Sequence, residues 1–196
     1  MTMEFLAIFF AGTAVGLALC WLRSRMSDFS AQSPHDYDSA RQAFDVRKHL
    51  NGPMICEGVI YGPTGRVTSR FTADFEGTWD GNRGTLKERF RYDNGEHQVR
   101  AWHIEVDKTG KIKTSADDVV GTGKGYQAGN AIGLSYKLRL PEESGGYVLD
   151  AIDWMYLLEN GTIVNRSQFR KFGFRVAELV ATIRPCEPAN EWESAA

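Results

Sequence analysis

Thirteen residues from Val67 to Trp79 alternate almost without error between two faces. Val67, Phe71, Ala73, Phe75 and Trp79 fall on one side, and Thr68, Arg70, Thr72, Asp74, Glu76 and Thr78 on the other. A period of two over that length belongs to a strand with one face in a core and one in water. The pattern returns in Ile132, Leu134, Tyr136, Leu138 and Leu140 against Ser135, Lys137 and Arg139. Further strand-like runs fall at about 54–61, 84–92, 97–107, 111–120, 146–158, 162–172 and 174–184. Turn signals such as Gly62-Pro63, Asp80-Gly81-Asn82, Asn94-Gly95, Thr109-Gly110, Gly145-Gly146 and Asn160-Gly161 punctuate them. Nine or so strands joined by tight turns, with no helix between, form an antiparallel meander. A meander apolar on one face closes into an all-β up-and-down barrel of about 8–10 strands. The alternative, a two-sheet sandwich, needs crossovers that these hairpins do not supply. Composition agrees: 20 glycines, 12% aromatics and 42% hydrophobic residues suit a turn-rich β domain with a core. With 23 Lys and Arg against 25 Asp and Glu, there is no basic field to hold nucleic acid.

The N-terminus is different. Phe5 to Leu22 contains no charge and one hydroxyl, Thr13, and Arg23 and Arg25 follow at once. At about 1.5 Å per residue the run spans roughly 27 Å, enough to cross a hydrocarbon core. Residues 1–25 are therefore read as an uncleaved, single-pass transmembrane helix. A cleaved signal peptide is the rival, but the first residues hold Glu4 and no Lys or Arg. Leu17-Ala18-Leu19-Cys20 resembles a lipobox, with Leu19 standing where a small residue is needed. The Gly12 and Gly16 spacing permits self-association of the anchor, although small residues occur in such helices for other reasons. The two arginines favour a cytoplasmic domain by charge bias. A polar linker, 26–36, leads to the barrel domain, 37–186, which opens with a short helix capped by Asp36 or Asp38 and ended by Asn51-Gly52-Pro53. Residues 187–196 form a tail.

Two hairpins set which polar residues face the lumen. A three-residue Asp93-Asn94-Gly95 loop puts Leu86 opposite Trp102 and aligns the apolar faces, which brings Glu88 opposite Arg100 on the apolar side. A two-residue type I′ turn at Asn160-Gly161 pairs Leu158 with Ile163, Tyr156 with Asn165, Trp154 with Ser167, Ile152 with Phe169 and Asp150 with Lys171. On that reading Phe75, Trp79, Phe90, Trp102, Trp154 and Tyr156 line a cavity. Glu88, Arg100, Asp150, Asn165, Ser167 and Lys171 are its polar anchors, a composition suited to an apolar ligand with a polar head. Alternatively, both ion pairs cap a filled core. The other side of 147–157 is apolar too, so this strand is expected to be covered outside by the helix, the bilayer or a partner protein.

No motif assigns a reaction or a cofactor. Gly121-Thr122-Gly123-Lys124-Gly125 lacks the spacing of a phosphate loop and reads as a glycine-rich bend in a strand. The four histidines, His35, His49, His97 and His103, show no metal-ligand spacing, and His97 and His103 fall on the outer face. Asp117 and Asp118, adjacent on a strand, point to opposite faces and form no dyad. Cys56 in the first strand and Cys186 after the last would be neighbours in a closed barrel, which permits a disulfide in an oxidising compartment; the alternative is two free thiols.

Gly77-Thr78-Trp79 is similar to the lipocalin Gly-x-Trp signature, although it closes the second strand and does not open the first. More of the chain is distinctive: Phe-Asp-Val-Arg-Lys-His-Leu-Asn-Gly-Pro at 44–53, Gly-Thr-Trp-Asp-Gly at 77–81, Phe-Arg-Tyr-Asp-Asn-Gly at 90–95, Ala-Asp-Asp-Val-Val-Gly at 116–121, Asp-Trp-Met-Tyr-Leu at 153–157, Asn-Arg-Ser at 165–167 and Lys-Phe-Gly at 171–173. On these stretches the chain resembles a bacterial domain-of-unknown-function family, many of whose members are described simply as lipoproteins. The resemblance implies a lipocalin-like (calycin-type) barrel and, because members are often encoded near cyclopropane-fatty-acid-synthase-like enzymes, a lipid-related role. It supplies no reaction and no catalytic residues. It also implies a bacterial inner-membrane protein with its domain in the periplasm, against the arginine flank. Three functions follow as expectations: a membrane-tethered barrel binding a fatty-acyl or lipid-like molecule, an enzyme on such a lipid with Glu88 or Asp150 as acid or base, and a scaffold holding a partner enzyme.

Overall fold

The computed structural model describes residues 3–38 and 42–186. Helix α1 (Met3–Ser27) precedes two 3-10 turns (Phe29–Ala31 and Pro34–Asp36), and a single turn, α2 (Val46–His49), leads into ten strands. These are β1 (Gly52–Tyr61), β2 (Val67–Asp80), β3 (Arg83–Tyr92), β4 (His97–Val106), β5 (Lys111–Ser115), β6 (Gly123–Ala128), β7 (Ala131–Arg139), β8 (Val148–Leu157), β9 (Ile163–Lys171) and β10 (Phe174–Pro185). Each strand pairs antiparallel with its neighbours in sequence, and β1 pairs with β10, so the meander closes into a ten-strand barrel. The long β2 carries the alternation of Val67–Trp79 into space, with Phe71, Ala73 and Phe75 buried.

One strand was hidden by its own composition. The glycine-rich stretch at 121–125 holds the start of β6, and the run read as 111–120 is the shorter β5 followed by a loop that crosses the barrel mouth. Two inward positions of β6 are glycines because neighbours occupy their side-chain space: a Cβ on Gly125 would lie 2.3 Å from Gly133 O, and one on Gly123 would lie 2.7 Å from Thr114 Cγ2. In the mouth loop Asp118 O accepts from Arg139 N at 2.7 Å, and Val119 bridges to Leu138.

The opposite end is plugged. Instead of a helix across 38–50, the described residues of that span form only α2, whose first turn is capped by Asp45 accepting from Arg47 N at 3.0 Å. Residues 39–41 of the expected helix and the tail 187–196 lie outside the described residues. Phe44, Val46 and Leu50 are each 2% exposed and fill the floor, a burial worth about 1.5–3 kcal/mol per side chain. Trp79 Nε1 donates to Leu50 O at 2.9 Å. Gly77 admits that plug, since a Cβ there would sit 2.1 Å from Leu50 O.

The first and last strands are neighbours as expected, but Cys56 and Cys186 do not bond. Cys56 faces Ile183 from inside the barrel, whereas Cys186 lies exposed, its N donating to Pro53 O at 3.0 Å. Three positions of offset along a strand separate the thiols by about 10 Å, beyond disulfide reach. Helix α1 includes a 20-residue stretch, Met3–Leu22, of mean hydropathy 2.2, none of it buried in the protein.

Candidate functional site

The β3–β4 hairpin closes through a three-residue loop, with Tyr92 N donating to Glu96 O at 3.0 Å and Gly95 at φ 86°. Leu86 therefore faces Trp102, and Glu88 faces Arg100, all inward. The second hairpin uses the same loop, not the two-residue turn expected. Leu158 N donates to Thr162 O at 2.8 Å, and Gly161 sits at φ 81°. That single extra loop residue shifts β8 by one against β9, pairing Leu157 with Ile163, Met155 with Asn165, Asp153 with Ser167 and Ala151 with Phe169. A one-residue shift exchanges the two faces of a strand.

Trp154, Tyr156 and Asp150 consequently point out of the barrel. Trp154 is nonetheless 2% exposed, because residues 28–37 strap the outer wall. Its ring packs 5.1 Å from Tyr37 and stacks 6.2 Å from Tyr156, whose hydroxyl reaches Gln32 Oε1 at 2.6 Å. The covered outer face thus belongs to the chain's own strap. Asp150 forms an exposed pair with Lys137 at 2.8 Å and faces Arg170, not Lys171. Lys171 lies at the mouth, donating to Val148 O at 3.2 Å. Trp79 belongs to the floor. Phe90 forms the wall near the mouth, edge-on to Phe71 and Phe75 at 5.3 and 5.7 Å. Trp102, Asn165 and Ser167 face the lumen as expected.

The lumen encloses a cavity of about 110 Å³ with apolar walls that include Phe75, Leu86, Phe90, Ile132 and Met155. An engineered apolar cavity of about 150 Å³ accommodates benzene, so this space fits a small group or one end of a longer molecule. Arg100 projects into it. The guanidinium lies 4.0 Å over the Trp102 ring and 6.0 Å from Tyr136, and its Nε is 3.0 Å from Asp118 Oδ1 in the mouth loop. That ion pair is close but not aligned as a hydrogen bond. Arg100 Nε and Nη2, Asp118 Oδ1 and Thr114 Oγ1 are all buried without a hydrogen-bond partner.

Two more carboxyls complete the cluster. Glu88 is 6% exposed, and burial pushes its carboxyl up to about 8, against the pull of Arg100; Asp153 and Asp118 reinforce the rise, and the Trp102 indole opposes it. Asp153 faces the cavity and accepts from Ser167 Oγ at 2.9 Å and from Asn165 Nδ2. Its carboxyl is raised by burial despite those two hydrogen bonds and Arg100. Burial likewise pushes up the Cys56 thiol and the Tyr136 phenol, so neither is a ready nucleophile or base. At neutral pH the lumen therefore offers donors, two guanidinium N–H groups, a hydroxyl and the protonated Glu88 carboxyl, beside the Asp118 carboxyl that is ion-paired with Arg100. That set recognises an anion or a carbonyl. Asp153, Tyr136, Thr114 and Asp118 were not singled out from the sequence for this site. The signal for Asp153 was present, since Glu159-Asn160-Gly161 has the same acid-Asn-Gly form as Asp93-Asn94-Gly95. A wider groove of about 630 Å³ over β2–β5 is lined by Trp79, His103 and Ile104 as well as by exposed charges such as Arg83 and Glu105.

A family model described as a protein of unknown function, DUF3833, matches residues 24–185. The chain belongs to that family. No curated protein matches it in sequence. In fold it is similar to the S-type phycobiliprotein lyase CPES from Guillardia theta, with a TM-score of 0.52 and 8% identity over 72% of this chain and 90% of that one. It is equally similar to Rv2717c from M. tuberculosis, with a TM-score of 0.52 and 13% identity over 71% of this chain and 94% of that one. The family member described here is thus a closed, ten-strand lipocalin-like barrel preceded by an apolar helix.

Proposed function

We propose that the protein is a membrane-anchored binding barrel that holds a fatty-acyl or lipid-like molecule, with the anionic head on Arg100 and the first carbons of the chain in the apolar lumen. The observation that carries this is Arg100: a guanidinium in an apolar cavity, ion-paired with Asp118 yet with Nε and Nη2 buried and making no hydrogen bond. Leaving such donors unsatisfied is costly, and a ligand carboxylate or carbonyl would pair them. The cavity takes only part of an acyl chain, so the rest would leave through the mouth. The 20-residue apolar stretch of helix α1, Met3–Leu22, is the anchor on this reading. The protein would reside in a bacterial inner membrane with its barrel on the periplasmic side, following the resemblance to lipoproteins.

Native mass spectrometry and organic extraction of the full chain in mild detergent should reveal a bound acyl compound. Added palmitate should quench Trp102, and Arg100→Gln should weaken binding about 10- to 100-fold, the worth of hydrogen bonds to a charged group. An empty barrel that binds no acyl carboxylate would refute the reading. Unchanged affinity in Arg100→Gln would move the head elsewhere. Resistance to alkaline carbonate extraction tests the anchor separately. A second reading, an enzyme acting on a lipid, is favoured by Glu88, an acid held protonated beside Arg100. Loss of turnover with retained binding in Glu88→Gln would select it.

A further inference from the structure

We propose that the barrel mouth docks on the bilayer through an aromatic tip, Tyr147, Phe172 and Phe174, so that the lumen opens toward the lipid; this rests on reading α1 as the membrane anchor. Phe172 is 87% exposed, Phe174 77% and Tyr147 57%. Phe172 and Gly173 form the two-residue turn between β9 and β10, with Lys171 paired to Phe174. Phe172 has φ 53° and is the one non-glycine residue at positive φ among those described. A bulky aromatic is a poor choice for that backbone, where Asn or Gly serves, and a poor choice for water. Both costs fall on one side chain, and such outliers point to function.

The path of the strap places this tip beside the membrane. Asp28 pairs with Arg170, Phe29 lies under the Arg166 guanidinium at 4.6 Å, Gln32 accepts from Tyr156, which pairs with Val164, and Tyr37 packs on Trp154. From residue 28 to residue 32 the chain thus descends the wall antiparallel to β9, away from the mouth. Residue 28 stands level with Arg170, two residues before Phe172, so α1 leaves the barrel at the mouth end next to the tip. Lys171 Nζ sits 5.1 Å from the Tyr147 ring and 5.0 Å from Phe172. Aromatic rings flanking a lysine whose stem can lie along apolar surface are the composition of a membrane interface. The floor end has no counterpart: its turns, 80–82, 107–110, 129–130 and 158–162, contain no aromatic residue. Exposed Glu142 and Glu143 adjoin Tyr147 and offset Lys171, so attachment relies on apolar contact and zwitterionic lipid suffices.

The test uses the full chain in phosphatidylcholine vesicles. A spin label is attached through Phe172→Cys, or separately Phe174→Cys, with Cys20→Ser and Cys186→Ser to remove the exposed thiols. The reference label is at Asn160→Cys on the floor. The labels at 172 and 174 should be about fivefold less accessible to a water-soluble relaxing agent than the label at 160, and more accessible to oxygen. Equal aqueous access at all three positions in protein that stays with the vesicles would overturn the docking while leaving the anchor intact, and would make the tip a site for a protein partner. Release from the vesicles would overturn both.

Discussion

Glu88 should make the barrel less stable as pH rises through neutrality. In the unfolded chain this carboxyl releases its proton near 4.5, whereas burial holds it to about 8 in the folded barrel. Between those values the folded state binds more protons, so stability is full below about pH 4.5 and is lost progressively up to about pH 8. At about 1.36 kcal/mol per pH unit, the difference reaches about 5 kcal/mol as an upper value. Asp153, also raised, acts in the same direction. The carboxylates held low by arginines and hydrogen bonds, Asp45, Asp74 and Asp93 among them, change charge below this window and do not mask it. Glu88→Gln keeps the shape and removes the proton. Urea unfolding of the full chain in detergent, followed by near-ultraviolet circular dichroism at pH 5 to 8.5, should give matching stabilities at pH 5, with the variant about 3–5 kcal/mol more stable at pH 8.5. Parallel profiles across the range would refute a buried, protonated Glu88.

Gly77→Ala should expel or displace the floor plug, because the added Cβ meets Leu50 O at 2.1 Å; a loss of about 1–3 kcal/mol in urea unfolding is expected, and an unchanged midpoint would mean the plug is not seated there. A maleimide should modify Cys186 in the native protein and Cys56 only after unfolding, with no change in mobility on reduction; a mobility change would reveal the disulfide that the register forbids. Trp154→Ala should cost about 3–5 kcal/mol of stability yet leave palmitate affinity intact, since its ring lies under the strap; a loss of affinity at constant stability would put it back in the lumen.

The fold was legible because alternation and turn chemistry agree over most of the chain, and because strands joined only by hairpins have one simple way to close. β6 escaped notice for a physical reason. Two of its inward positions, Gly123 and Gly125, give up their own side chains to make room for Thr114, Tyr136 and Leu134, so the periodicity there is written in the neighbours. The short helix was overread because Tyr37 and Phe44 look like one helical face; in the fold they separate, Tyr37 to the strap and Phe44 to the floor. The site divides the same way. Glu88, Arg100 and Trp102 were legible because one face of β3 and of β4 meets water, and only one loop length reconciles the two patterns.

β8 offers no such check. Leu149, Ala151, Met155 and Leu157 line the barrel, while Ile152, Trp154 and Tyr156 lie under the strap or toward it, and a strand buried on both faces has two apolar sets and no parity. Its register then rests on loop chemistry alone. Asn94 and Asn160 each accept from the backbone N–H two residues on, at 3.0 Å, and each precedes a glycine in the left-handed region. Two loops with the same local bonds should be assigned the same length. Doing so moves Asp153 from the outer wall to the lumen and Trp154 from the lumen to the wall. One residue of loop length therefore decides whether the cavity presents an indole or a carboxyl to its ligand, and the carboxyl, held by Asn165 and Ser167, explains why those two polar side chains are inside a largely apolar barrel.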